Sequence, residues 1–309
     1  MSGARPNPKT SCKVRTEMSG NPKISVIMPN YDKGRFIGEA IESALKQTYR
    51  DFEVIVVDDA STDDSVTIVE GYLQKCNNVR LIRLEKQLGV SAARNIGIKS
   101  AQGEIICLLD SDDIYSPIKL ERQFDALQEE SEPVVVYSEW WRIDEEGRKL
   151  PPGKMEHPRK SGRIFGDVLA LGFGVNTTFM IPKICLDHVG LYDESLPWSE
   201  DYDLILRLSR DFNFKHLDQE LYGYRNYVGN TRNELKRKER LLYQSHVMEK
   251  HYKIGKQLLD RKTNNAVVAS LIRFYSLTGQ RKKVVRYGFT SFSALKSMFR
   301  SIVRDKPIK

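Results

Sequence analysis

Ile105-Ile106-Cys107-Leu108-Leu109-Asp110-Ser111-Asp112-Asp113 runs five apolar residues straight into three carboxylates within four positions. The apolar run has the length of a strand buried on both faces, as in a parallel sheet, rather than an alternating half-exposed one. The carboxyl end of such a strand is where an open α/β sheet places its ligand crevice. Three carboxylates crowded there repel one another, and a divalent cation shared with substrate phosphates would offset the repulsion. A strand stop followed by a helix N-cap explains the acids equally well when the stretch is taken alone.

Upstream, strand and helix alternate. Ile24-Ser25-Val26-Ile27-Met28 reads as a first strand, stopped by Pro29-Asn30-Tyr31-Asp32. Phe36, Ile37, Ala40, Ile41, Ala44 and Leu45 then mark one face of a helix. Glu53 to Val57 is a second strand ending in Asp58-Asp59-Ala60-Ser61-Thr62-Asp63, and a helix with Val66, Ile68, Val69, Tyr72 and Leu73 follows. A third strand, Val79 to Leu84, leads through Gly89 into a helix around Ala93-Arg94-Asn95. This is the βαβ rhythm of a parallel sheet. Ser116 and Pro117 are expected to open the next helix as N-cap and first helical residue. Beyond Pro133 the pattern changes, with strands expected at Val134 to Tyr137, Asn176 to Ile181 and Phe214 to Tyr224, and a helix at Ser199 to Arg210.

Charge is unevenly spread along the 309 residues. Residues 231–309 hold 20 Lys and Arg against 5 Asp and Glu, an excess of +15, which leaves −7 on residues 1–230. A basic tail on an acidic body suits an anionic surface such as a membrane. No nucleic-acid module is visible. No apolar run reaches membrane-span length, and no secretory h-region is present. Four scattered cysteines, with no C-x-x-C, fit neither a zinc site nor a disulfide framework and suit a reducing cytosol.

Three strand ends are polar in a complementary way. The first offers backbone groups around Pro29 and the Tyr31 ring, the second Asp58 and Asp59, the fourth Asp110, Asp112 and Asp113. An aromatic face, a carboxylate able to accept from a base N–H and a metal-binding acid pair describe a nucleoside diphosphate site. Arg94, at a helix start, adds a cation. A further pair, Glu200-Asp201, reads either as first-turn acids behind Ser199 as N-cap, favoured by the helix dipole, or as a general base.

Taken jointly, these stretches resemble the family 2 inverting glycosyltransferases of GT-A fold. That family's P-x-Y-N, S-x-x-x-Q-T and V-D-D-G-S-T-D elements are similar to Pro29-Asn30-Tyr31-Asp32, Ser43 to Gln47-Thr48 and Val57-Asp58-Asp59-Ala60-Ser61-Thr62-Asp63. Its A-x-N-x-G resembles Ala93-Arg94-Asn95-Ile96-Gly97, and its D-x-D resembles Asp110-Ser111-Asp112. Its G-x-x-D-E-S-L and E-D-x-D-L resemble Gly190 to Leu196 and Glu200-Asp201-Tyr202-Asp203-Leu204. The match covers about residues 23–226 in order.

The resemblance implies an α/β, Rossmann-like, mostly parallel sheet flanked by helices, with a donor half over 23–130 and an acceptor half over 131–230. The residues themselves add a disordered leader over 1–22, polar and carrying Pro6, Pro8 and Pro22, and a basic helical C-terminal extension over 231–309. By position, Asp59 with Asp58 would hold the nucleobase, and Arg94 would support the nucleotide. Asp110 would sit by the ribose or a metal-bound water, and Asp112 would bind Mn²⁺ or Mg²⁺ at the diphosphate. Asp201 would be the general base, with Glu200 as its substitute.

The expected reaction is metal-dependent, inverting transfer of one hexosyl unit from a UDP-sugar to a hydroxyl of a glycan or lipid-linked saccharide. Cell-surface polysaccharide synthesis is the expected setting. No Q-x-x-R-W motif of processive synthases is present, so sugars would be added singly. A nucleotide-sugar-binding protein without catalysis and a sugar nucleotidyltransferase are the competing readings. Residues 288–304 are amphipathic and basic, so peripheral attachment to the cytoplasmic face of an anionic membrane is expected. Packing of that helix on the body or on a second subunit is the alternative. Asp32 stands where the family has Asn, and Tyr227 where it often has His in Y-R-x-H.

Overall fold

The structure, a computed structural model, describes residues 21–152, 158–171, 176–228 and 237–288. Of the expected segments, residues 1–20 of the leader and 289–304 of the amphipathic tail lie outside them. The chain divides into two compact units. The first lies within Met1–Gly153, Thr177–Glu194 and Phe214–Tyr227, and the second within Lys154–Asn176, Ser195–Asn213 and Val228–Lys309.

The first unit is built on one sheet. Strands β1 (Ile24–Asn30) and β2 (Phe52–Asp58) are buried at every position, which is why their sequences do not alternate. β3 (Val79–Arg83) and β4 (Ile105–Leu108) complete a parallel set in the order β3-β2-β1-β4. Beyond β4 the sheet turns antiparallel. It continues through β8 (Met180–Pro182), β6 (Val134–Ile143), β9 (Asn213–Arg225) and the two-residue β5 (Ile114–Tyr115), with β7 (Lys149–Leu150) beside β6. The change of pattern after Pro133 marks that switch.

Register places the polar strand ends side by side. Asn30 pairs with Asp58, Ile27 pairs with Leu108, and the Leu109 amide donates to the Ile27 carbonyl at 3.0 Å. Helices α1 (Gly34–Leu45), α2 (Ser65–Leu73), α3 (Val90–Ser100) and α4 (Lys119–Gln128) join the early strands, and α6 (Lys183–Val189) follows β8. α1 buries Phe36, Ile37, Ala40, Ile41 and Ala44, the face that the periodicity marked.

The S-x-x-x-Q-T element has a structural task. Ser43 Oγ accepts from the Tyr115 amide, and Gln47 Oε1 accepts from the Leu120 amide at 2.9 Å. Gln47 Nε2 donates to the Ser116 carbonyl at 2.7 Å. Gln47, rather than Ser116, therefore caps α4, and the helix starts at Lys119 instead of Pro117. A distant amide has replaced the local cap, a substitution that no local pattern could reveal.

The second unit is helical among its described residues. It contains α5 (Phe165–Leu171), α7 (Glu200–Asp211), α8 (Arg237–Gly255), α9 (Arg261–Thr278) and α10 (Arg281–Gly288). The expected helical extension holds over 237–288. Asp260 caps α9 through the Thr263 amide, and Gly279 closes it at a φ of 79°. Glu249 ties three helices together, accepting from Tyr275 and Tyr287 and pairing with Lys283 at 2.7 Å and Lys253 at 3.0 Å. Burial opposes its ionisation, but these partners prevail and bring its pKa down to about 2. Among the described residues no helix is long and apolar enough to cross a membrane.

One buried cation underpins the end of β4. Lys119 is fully buried, donates to Gln123 and to the Thr178 carbonyl, and sits 4.6 Å from the centre of the Tyr115 ring. Tyr115 in turn donates to the Leu108 carbonyl at 2.6 Å. Burial among neutral partners lowers the Lys119 pKa to about 8. Its folded pKa thus lies below its unfolded value, so this term destabilises the fold fully below pH 8. The penalty lifts as pH rises towards the unfolded value near 10.5. The full term is about 3 kcal/mol. We expect wild type to gain up to that amount relative to Lys119→Met between pH 8 and 10.5, measured by urea denaturation. A pH-independent difference would refute the buried charge.

Candidate active site

The first unit gathers seven of the nine expected site residues at the carboxyl ends of β1, β2 and β4. Asp58 is buried and accepts from Asn30 Nδ2 at 2.8 Å and from the Ser61 amide at 3.0 Å. Asn30 Nδ2 also donates to Ser61, which fixes the amide's orientation, and Asn30 Oδ1 is a buried acceptor with no hydrogen-bond partner. Asp59 accepts the Leu88 and Gly89 amides, one on each carboxylate oxygen, at 2.7 and 2.8 Å. That clamp holds the loop entering α3, where Gly89 takes a φ of 92°. Each oxygen keeps a second lone pair. Pro29 is buried in β1, whereas Tyr31 is 39% exposed.

Two departures from the family motif are explained here. Asp32 has a φ of 49° and accepts from the Thr62 amide at 2.7 Å. Asp and Asn both tolerate this left-handed backbone and both supply the acceptor, so the exchange is mild. Ala60 stands where the motif has Gly, at a φ of 64°, and carries local strain.

The A-x-N-x-G element resolves into three tasks. Gly97 lets α3 lie against the sheet, because a Cβ there would come within 2.4 Å of Ile27. Asn95 donates to the Tyr192 carbonyl and to Glu194, and accepts from the Tyr192 amide, pinning the Gly190–Glu194 stretch. Arg94 is buried, pairs with Asp110 at 2.9 Å and lies over the Tyr192 ring.

The three carboxylates after β4 have separate surroundings. Asp113 is buried, accepting from Tyr222 at 2.6 Å and from the Arg225 amide at 2.7 Å. Burial and the charges of Asp112 and Asp110 push its pKa well above the usual range. Asp112 Oδ2 accepts from Tyr227 at 2.8 Å and lies 3.7 Å from Lys33 Nζ. Burial and then Asp110 raise its pKa, against the pull of Lys33 and Tyr227. Tyr227, at the position of the family's histidine, therefore reaches the D-x-D directly. Arg225 anchors that segment by donating to the Asp112 and Asp144 carbonyls and pairing with Glu39. Lys33, Asn95 and Tyr227 are absent from the expected site residues; the A-x-N-x-G element pointed to Asn95 and the Y-R-x-H departure to Tyr227, and no motif pointed to Lys33.

The chemistry of the donor set suits a divalent ion only in part. Among the described residues no three His, Cys, Asp or Glu side chains form a metal cluster. Asp110 and Asp112 supply two hard oxygen donors, the number used when substrate phosphates complete the shell. Their mutual repulsion is the observation favouring such an ion.

In the second unit, Glu200 and Asp201 open α7, immediately after Ser199 at a left-handed φ of 65°. Ser199 occupies the expected N-cap but makes no side-chain capping bond. Asp203 below them is buried and bonded to His251 at 2.8 Å, Arg207 at 2.8 Å and Lys250 at 3.0 Å. Burial would raise its pKa, but the bonds from His251 and Lys250 and the Arg207 charge hold it well below the usual carboxylate range.

The glycosyl transferase family 2 model matches residues 25–190. The chain is 31% identical over 263 residues to an uncharacterised glycosyltransferase of Methanocaldococcus jannaschii, covering 83% of this chain and 87% of that one. It is 35% identical over 196 residues to one from Rickettsia prowazekii, covering 62% of this chain but only 59% of the relative's length. Crystallised residues 1–349 of S. aureus TarS share the fold, with a TM-score of 0.59 at 19% identity over 93% of each chain.

Asp59 gives a direct test of the loop clamp. Asp59→Asn keeps the shape but turns a donor towards one backbone amide. Hydrogen exchange at the Leu88 and Gly89 amides should quicken at least tenfold, the scale of a lost charge-assisted bond. Unchanged protection would remove the clamp from the account. The α/β sheet, the ordered strand-end motifs and these matches together place the chain in glycosyl transferase family 2.

Proposed function

We propose that the protein is a metal-dependent, inverting glycosyltransferase that moves one sugar from a UDP-sugar to a hydroxyl of a glycan or lipid-linked saccharide in cell-surface polysaccharide synthesis. The observation that carries the reading is the pairing of Arg94 with Asp110 and of Lys33 and Tyr227 with Asp112 at the ends of adjoining parallel strands. Such a place holds both cations for phosphate and carboxylates for a divalent ion. The choice of nucleotide is supported by TarS, which has been crystallised with UDP and with UDP-GlcNAc. Peripheral attachment to the cytoplasmic face of a membrane, and any oligomeric state, belong to the same proposal and rest on the sequence.

In this reading Tyr31 stacks on the nucleobase, and Asn30 Oδ1 and the Asp58-Asp59 pair read its edge. Arg94 steadies the nucleotide, and Asp110 meets the ribose. Asp112, with Asp110, would hold Mn²⁺ or Mg²⁺, which when bound supplies charge stabilisation at the leaving diphosphate. Asp201 takes the proton from the acceptor hydroxyl as that oxygen displaces the nucleoside diphosphate at the anomeric carbon, with inversion. Glu200 is the alternative base.

The test separates binding from chemistry. A thermal-shift screen of nucleoside diphosphates, with and without Mn²⁺, should single out UDP. Asp201→Asn should keep that shift while sugar transfer to a lipid-linked or glycan acceptor falls about 10²-fold or more, the scale of a lost general base. Near-normal transfer by this variant would eliminate Asp201 as the base.

A further inference from the structure

Lys33 belongs to none of the family's motif positions quoted above, yet it is the cation beside Asp112. Its Nζ donates to the Tyr227 hydroxyl at 2.7 Å and lies 3.7 Å from Asp112 Oδ2, while Tyr227 donates to that same oxygen at 2.8 Å. The chain arrives there on fixed backbone. The Lys33 amide donates to Ser65 Oγ, and its carbonyl accepts the Phe36 and Ile37 amides at the start of α1. Tyr227 is braced by the Phe36 ring, with centroids 4.8 Å apart. The Lys33 side chain is 21% exposed, so its ammonium is held in place but still reachable.

An ammonium carries three donors. One serves Tyr227, and at 3.7 Å the contact with Asp112 is an ion pair rather than a hydrogen bond. Donor capacity therefore remains for an incoming anion. The same positive charge repels any divalent ion drawn to Asp112. Lys33 and the metal thus oppose each other in the absence of nucleotide, and both favour a diphosphate.

We propose that Lys33, positioned by Tyr227, is a diphosphate-binding residue that competes with the divalent ion for Asp112 and gives nucleotide binding a metal-independent component. This rests on the nucleoside diphosphate reading of the site. The consequence is a pair of opposite effects from one substitution, which a merely structural lysine would not produce.

Calorimetric titration of UDP in the presence of a chelator, and of Mn²⁺ alone, provides the test. Lys33→Met should weaken UDP binding without metal by about tenfold or more, the scale of a lost charge-assisted bond. It should tighten Mn²⁺ binding by about threefold or more through the removed repulsion. Lys33→Arg should restore most of the UDP affinity. Tyr227→Phe should move both affinities in the directions of Lys33→Met, by smaller factors. Parallel losses for UDP and Mn²⁺, or no change in either, would overturn the assignment while wild-type binding of UDP kept the reading of the site intact. Failure of wild type to bind UDP with or without Mn²⁺ would overturn both.

Discussion

Three carboxylates within four positions at the end of a buried strand are the constraint around which the first unit is arranged. Like charges so close repel one another, and burial with that repulsion raises the pKa of Asp112 and of Asp113. Each acid has its own relief, drawn from far along the chain. Asp110 has Arg94 from α3, and Asp112 has Tyr227 and the ammonium of Lys33. Asp113 has Tyr222 and the Arg225 amide from the end of β9. The antiparallel half of the sheet thus does more than extend the core. It delivers β9 and the following Tyr227 to the ends of the parallel strands.

The division of labour among the acids follows from their surroundings. Asp113 is buried with a protein donor on each carboxylate oxygen and serves the architecture. Asp110 and Asp112 hold single oxygens against chain cations and remain partly exposed. At the neighbouring strand end, Asp58 and Asp59 secure their own loops.

Much of this was legible in the sequence. Apolar runs announced β1, β2 and β4, the last two ending in acids, and the 3.6-residue period of Phe36 to Ala44 announced the buried face of α1. The ordered motifs announced the family. What stayed hidden depends on contacts between residues far apart in the chain. Gln47 capping α4 spans 73 positions, and Tyr227 meeting Asp112 spans 115. Neither leaves a periodicity, and both depend on the sheet already being formed. Asp113 could not be told apart from Asp110 and Asp112 because its partners lie in β9. Ser199 looked like an ordinary cap, but its left-handed backbone, absent from any residue preference, sets it apart directly before Glu200 and Asp201.

The central claim is that the end of β4 receives the diphosphate of a nucleotide and that Asp112 is the acid that matters there. Calorimetric titration of UDP in the presence of Mn²⁺, into wild type and Asp112→Asn, addresses it most directly, because asparagine keeps an acceptor for Tyr227 while removing the charge. The account predicts binding at least about tenfold weaker in the variant, the scale of a lost charged contact. Equal affinity in the two proteins would contradict it.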